Sequence, residues 1–272
     1  MSLCIVLDAG LGNQLFMLFA GISKAIDEKR DFTVFPIHNT YRKYYFTNLL
    51  KSLLFKVAPN TNNINQNDFY EEPYFHYKEI PNNKKLIKGY FQSPKYFHHN
   101  RDKIIDILKI DQYKTKNKLN FKAIAMHFRF GDMSFQQGNH IILTPYYFIN
   151  AIKKMKEFIL DWNDYKIVIF AEKNDNDLVD DYIEIINNNL EEPIDFIKFY
   201  DIHHDVKDYE ELFYMSSCEH FIIANSSYSW FAAYLSDNIN KRVVYPCKWF
   251  GINLSHNITS DICMNDWTKI EF

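Results

Sequence analysis

A chain of 272 residues that is 47% hydrophobic and 17% aromatic can bury one large core or two small ones, and its seven glycines and eight prolines rule out a fibrous or low-complexity chain. The formal net charge of −3 supplies no basic field, which argues against nucleic acid as a partner. Cys4, Cys218, Cys247 and Cys263 are scattered, without the C-x-x-C spacing of a zinc site or a disulfide framework, so reduced thiols in a soluble, cytoplasmic protein are expected.

The chain opens MSLCIVLDAG, with neither the cationic start nor the long apolar stretch of a signal peptide. No later run reaches the roughly 18 apolar residues of a membrane span. Residues 3–7 read as a strand and residues 8–14, DAGLGNQ, as a turn. From Leu15 apolar residues recur at helical spacing through Leu18, Phe19, Ile22 and Ile26. Strand, glycine turn and helix together suit close approach of an anion to helix N–H groups. G-x-G here (Gly10, Gly12) is neither a dinucleotide fingerprint nor a P-loop, because Asn13 and Gln14 follow and no GK[ST] does. Asn13 and Gln14 could hold a sugar or phosphate, or simply cap the helix.

Residues 32–36 read as a second strand, and the asparagine-rich residues 60–67 as an exposed loop. Residues 85–92 read as a strand, and Ser93-Pro94 as the start of a helix to Leu108. The lysine- and asparagine-rich residues 114–120 mark a domain boundary, giving domains 1–118 and 119–272. Beyond it, strands at 123–126, 166–170, 195–199, 219–224 and 242–245 alternate with helices opening at Thr144-Pro145, Asp175, Tyr209 and Ser227. That alternation predicts parallel α/β units, and no internal repeat is visible.

The chain is organised around residues 121–132, FKAIAMHFRFGD. A buried strand ends there in His127, Arg129, Gly131 and Asp132. Ligands of open α/β sheets sit beyond the carboxyl ends of the strands. An arginine suits a phosphate there, since its planar fork donates two parallel hydrogen bonds and stays charged. An Arg129–Asp132 ion pair beside a satisfied histidine fits the same pattern. A second strand empties at residues 221–230, FIIANSSYSW, into Asn225, Ser226, Ser227 and Ser229. Hydroxyls and helix N–H groups suit a diphosphate there, and ordinary capping accounts for the same residues.

Read together, GLGNQLF (10–16), GYFQSPKYF (89–97), HFRFGD (127–132), MSSCEHFIIANSSYSWFAAYL (215–235) and PCKWF (246–250) resemble the ordered motifs of glycosyltransferase family 11, the α-1,2-fucosyltransferases. The resemblance runs over nearly the whole chain. It implies a GT-B-like α/β fold of two Rossmann-type domains facing a central cleft, with acceptor contacts and the GLGNQ loop in the first domain and the nucleotide sugar in the second. It also implies GDP-fucose as donor, transfer with inversion to the 2-hydroxyl of a glycan acceptor (commonly a terminal galactose), and no metal or other cofactor. The first arginine of the family's H-x-R-R-G-D motif falls on Arg129, with His127 and Asp132 matching. Phe130 stands at the second arginine, and Met133 at the aromatic after the aspartate. The family's F-S-D-D appears as Phe170-Ala171-Glu172-Lys173, leaving Glu172 as the acidic candidate for the donor.

On this reading Arg129 is the main phosphate contact, helped by the Ser226–Ser227 helix start and Asn13, while His127 orients the donor. The catalytic base is unidentified. Asp132 is the nearest candidate, although shaping the turn suits it better. Asp175-Asn176-Asp177 imitates a D-x-D metal motif, but acids in a first helical turn offset its dipole. His203-His204-Asp205 reads as a solvated turn. Tyr41, Tyr44, Tyr45, Tyr90, Phe91 and Tyr96 could stack on an acceptor sugar, with a core role the safer reading for most. The alternatives are another nucleotide 6-deoxyhexose such as L-rhamnose, and a degenerate module that only binds nucleotide or glycan.

Overall fold

The computed structural model describes residues 2–37, 44–59, 61, 65–131 and 138–272. The chain divides into two compact units, Met1–Thr115 with Asn257–Met264, and Lys116–His256 with Asn265–Phe272. The first unit thus recovers a late segment that a single cut at 118/119 does not express.

In the first unit β1 (Leu3–Leu7) leads into α1 (Leu11–Asp27) and β2 (Phe32–Pro36), followed by β3 (Phe69–Glu71), β4 (Leu86–Lys88), α2 (Arg101–Leu108) and α3 (Asp111–Lys116). The four strands form a parallel sheet in the order β2-β1-β4-β3. Every residue of β1, LCIVL, is buried, as expected for an inner strand covered on both faces.

Helix α1 starts four residues earlier than its apolar spacing predicts. Gly10 is the extended N-cap, and Gln14 N–H donates to its carbonyl, so Gly12 lies inside the helix rather than in a turn. A helical glycine costs about 1 kcal/mol, and burial of Leu11 and Leu15 offsets it. The helix expected from Ser93 to Leu108 is instead two 3₁₀ turns, Pro94–Tyr96 and His98–Asn100, before α2. Phe97 between them has φ −144°, outside helical space.

The second unit holds β5 (Ala123–His127), α4 (Pro145–Phe158), β6 (Lys166–Phe170), α5 (Asn176–Asn188), β7 (Phe196–Lys198), α6 (Phe199–Ile202), α7 (Asp208–Ser216), β8 (His220–Ile222), α8 (Ser227–Leu235), β9 (Val243–Pro246) and β10 (Thr268–Ile270). Its sheet is parallel throughout, in the order β10-β9-β8-β5-β6-β7. β10 lies beyond the strand the sequence reading took as the last. Three residues, TKI, carry too short a pattern to read. Among the described residues no helix is long and apolar enough to cross a membrane.

Candidate functional site: the β5/β8 switch point

From β5 the chain adds β6 and β7 on one side, then returns to lay β8, β9 and β10 on the other. The order reverses between β5 and β8, which pair in register with Met126 opposite Ile222. α4 packs against α5, and α7 against α8. Right-handed crossovers running in opposite directions put these two pairs on opposite faces, which opens a crevice at the carboxyl ends of β5 and β8. Arg129 lies two residues past the end of β5. Ser226 lies four past the end of β8. The two tips are therefore neighbours on one edge of one sheet.

The period of two along a strand sorts the side chains at that edge. Ile124, Met126, Phe128 and Phe130 point into one core cluster with Phe148, Ile152 and Met155 of α4. Phe130, at the position of the family's second arginine, is 3% exposed, and its ring centroid is 4.8 Å from that of Tyr182. A cation there would face aromatic rings, so the phenylalanine is a core residue. His127 and Arg129, of opposite parity, belong to the other face. There the His127 ring lies 5.8 Å from Tyr228 of α8, and the Tyr228 hydroxyl donates to the carbonyl of Asp208 in α7.

His127 is buried, with no partner on Nδ1 among the described residues. Burial first, and the Arg129 charge second, push its pKa down to about 3. The imidazole is neutral at pH 7. It offers a neutral hydrogen-bonding group, and Arg129 is the cation of the pair. A stability prediction follows from the sign of this shift. Below its ordinary pKa of 6.5 the unfolded chain takes up a proton that the folded chain refuses, so this residue costs stability as pH falls from 6.5 toward 3. His127→Gln should flatten that dependence, sparing about 2 kcal/mol of the loss between pH 7 and 5 in denaturant unfolding. An unchanged pH slope would show that the histidine is not held neutral.

Ser226, extended at φ −140°, is the N-cap of α8 and accepts from the N–H of Tyr228 at 3.3 Å. Its hydroxyl therefore caps the helix, and the other amides of the first turn are what an anion could use. Asn225 is 4% exposed; its Nδ2 donates to the carbonyls of Ile141 and Trp249, both at 3.0 Å, which ties two loops to the tip of β8. Its Oδ1 is buried without a partner among the described residues. Ser229 is fully buried and returns its hydroxyl to the carbonyl of Ser226, so its side chain faces the interior. Ser227 is partly exposed at the first helical position.

At the neighbouring tip of β6, Glu172 lies over Gly131, where a Cβ would meet its Oε1 at 3.0 Å. Gly131 has φ +21°, and its N–H donates to Asp175 Oδ2 at 3.2 Å. The first aspartate of the D-x-D look-alike thus holds the turn that follows Arg129. Asp132 and Met133 lie outside the described residues.

The sequence reading missed Glu211 of α7. Its carboxylate is largely buried and has no hydrogen bond or ion pair among the described residues. Burial, then Asp208 and Glu172, push its pKa up to about 7. An acid held near other acids, without a cation, at the ligand edge of a sheet is a functional candidate. Nothing in the run DYEELFYMS distinguishes it from its acidic neighbours, because first-turn acids are common.

In the first unit Gln14 is fully buried and clamps the turn through Nε2 to the Ala9 carbonyl at 2.9 Å. Gly12 is buried in the first turn of α1, while Asn13 is partly exposed and accepts from Gln92 Nε2 at 2.7 Å. Of the aromatic set, Tyr45, Phe91 and Tyr96 are buried, and Tyr90 is 44% exposed. Tyr41 lies outside the described residues.

The fold resembles that of the ADP-heptose lipopolysaccharide heptosyltransferase II of E. coli, with a TM-score of 0.51 at 8% identity over 99% of this chain and 90% of that one. Both units are thus parallel α/β units of a GT-B-type fold. In sequence the chain is similar to the O-antigen biosynthesis glycosyltransferase WbnK of Escherichia coli, 27% identical over 261 residues, 88% of this chain and 78% of that protein. It is also similar to an alpha-1,2-colitosyltransferase of Escherichia coli, 23% identical over 310 residues and 97% of each chain. The family model described as Glycosyl transferase family 11 matches residues 5–271. A glycosyltransferase, the chain belongs to family 11.

Proposed function

We propose that the chain transfers L-fucose from GDP-fucose to the 2-hydroxyl of a glycan acceptor, with inversion and without a metal cofactor. The observation that carries this reading is the pairing, on adjacent strands at a switch point, of a guanidinium with a helix N-terminus. As the acceptor oxygen attacks the anomeric carbon from the opposite side, the bond from that carbon to the diphosphate oxygen breaks, its electron pair leaves with GDP, and the acceptor hydroxyl releases its proton to solvent. Negative charge grows on the diphosphate while the sugar becomes oxocarbenium-like. Arg129 and the first-turn amides of α8 meet that charge. Neutral His127 orients the donor without adding a charge that a shift in pH could remove. The buried acceptor Asn225 Oδ1 suits a donor hydroxyl. Glu211 suits the base, since its two oxygens match the N1–H and N2–H₂ of guanine. The first unit supplies the acceptor contacts and the turn at Gly12 and Asn13.

A second donor is favoured by the colitosyltransferase relative, in which the transferred sugar is a deoxyhexose other than fucose. Donor hydrolysis measured over GDP-fucose, GDP-colitose and a dTDP-linked L-rhamnose separates these. The proposed reading expects turnover of a GDP sugar, fucose foremost, and none of the dTDP sugar. Turnover of the dTDP sugar alone would overturn it.

A further inference from the structure

Just past the carboxyl ends of β1 and β4, which pair side by side with Ile5 opposite Ile87, the backbone is strained at two apolar residues. Ala9 has φ +64° and Phe91 φ +51°, and both are buried. The other non-glycine residues with positive φ in the described chain are polar: Lys29, Asn83, Lys109 and Asp205. Left-handed conformation costs an L-residue roughly 1–2 kcal/mol, and such strain persists only where its surroundings enforce it.

The enforcing group at Phe91 is Glu72, just past the end of β3. Its Oε2 accepts from the N–H of Tyr90 at 2.8 Å and of Phe91 at 2.9 Å, and its Oε1 lies 3.5 Å from the Tyr96 hydroxyl. Gly89 has no room for a side chain, since a Cβ would lie 2.3 Å from the Cβ of Glu72. The turn so held delivers Gln92, 7% exposed, whose Nε2 donates to Asn13 Oδ1 at 2.7 Å. That bond uses one lone pair of Oδ1 and fixes which way the Asn13 amide faces, with its Nδ2 donors left for a ligand. Gln14 completes the frame from the other strained residue by donating to the Ala9 carbonyl.

We infer that Glu72 is a positioning residue of the transfer reaction: by holding the strained turn after β4 it sets Gln92 against Asn13 and fixes how Asn13 is presented to substrate. This rests on the transferase reading proposed above. The carboxylate acts through the turn and does not itself touch substrate, because its oxygens are occupied by backbone N–H groups and a tyrosine hydroxyl. Burial first, opposed by those same hydrogen bonds, raises its pKa to about 7, so the fold keeps an acid where solvation is poor.

The test is a double-mutant cycle in the full chain, read in kcat/KM for the best donor of the panel. Glu72→Asp keeps the charge and withdraws the carboxylate by one methylene, which avoids the folding risk of a truncation. Glu72→Asp and Asn13→Ala should each lower kcat/KM about 10-fold or more, as misplacement of a substrate-contacting group does. Combined, they should lose no more kcat/KM than the worse of the two, because both act through the same Gln92–Asn13 contact. Glu72→Gln, which keeps an acceptor oxygen for the turn, should restore kcat/KM to within about threefold of the wild type. Multiplying losses in kcat/KM, or a Glu72→Asp variant as active as the wild type, would overturn the inference alone. A wild-type chain inactive with every donor would overturn the transferase reading and this inference with it.

Discussion

Arg129→Ala is expected to lower kcat by about 10²–10³-fold, the usual cost of deleting one preorganised donor to a charge that develops in the transition state. Tm should change little, because Arg129 stands past the end of β5 and outside the core cluster that holds Phe128 and Phe130. The loss should fall mainly on kcat, since the diphosphate gains charge only as the sugar leaves. Arg129→Lys should recover part of it. An ammonium keeps the charge but gives up the two parallel hydrogen bonds of the guanidinium. Steady-state kinetics with near-UV circular dichroism on the same samples checks both halves. A variant with near-normal kcat would remove Arg129 from the chemistry.

Glu211→Gln is expected to act on nucleotide choice and on stability, in opposite senses. A good bidentate match to a base edge discriminates by about 1–3 kcal/mol. The variant should therefore lose about 5- to 150-fold of its preference for GDP over UDP and ADP by calorimetry. In the wild type, GDP should bind more tightly as pH rises through 7, because the ionised carboxylate accepts from both guanine donors. The variant should lose that dependence. Its effect on folding has the other sign. The folded chain holds a proton on Glu211 between its ordinary 4.5 and about 7, where the unfolded chain has released it. Stability from this residue is thus intact below pH 4.5 and falls as pH rises toward 7. Removing the charge should return up to about 3 kcal/mol at pH 8 relative to pH 4.5. Unaltered base preference together with the stability gain would make Glu211 a structural liability with no part in binding.

The sequence revealed the strands and long helices whose burial pattern is local. β1, β2, β6 and α8 lie where apolar runs and a serine cap place them. It did not reveal β3 or β10, three-residue strands that exist because a parallel neighbour supplies their hydrogen bonds. The start of α1 was misplaced because glycines at 10 and 12 read as a turn, whereas burial of Leu11 carries the helix through Gly12. For the site, the His127–Arg129 tip of β5 was legible, whereas the burial of Phe128 and Phe130 in the core on the opposite face shows only in the packing. Strand order was not. The adjacency of β5 and β8 across a switch point comes from tertiary pairing that no local pattern encodes. Glu211, Glu72 and Gln92 were hidden for a related reason. Their roles depend on burial and on partners 18 to 79 residues distant for the latter two, and for the first on having no hydrogen-bond partner among the described residues. Of the two readings of the serines, capping is visible at Ser226, which accepts from the Tyr228 N–H, while Ser229 turns inward.

The most direct measurement is a crystal structure of the chain with GDP. A diphosphate should bridge the two tips, with a phosphate oxygen about 2.7–3.1 Å from the Arg129 guanidinium and another at similar distance from a first-turn N–H of α8. A diphosphate bound elsewhere in the second unit, touching neither group, would contradict that placement.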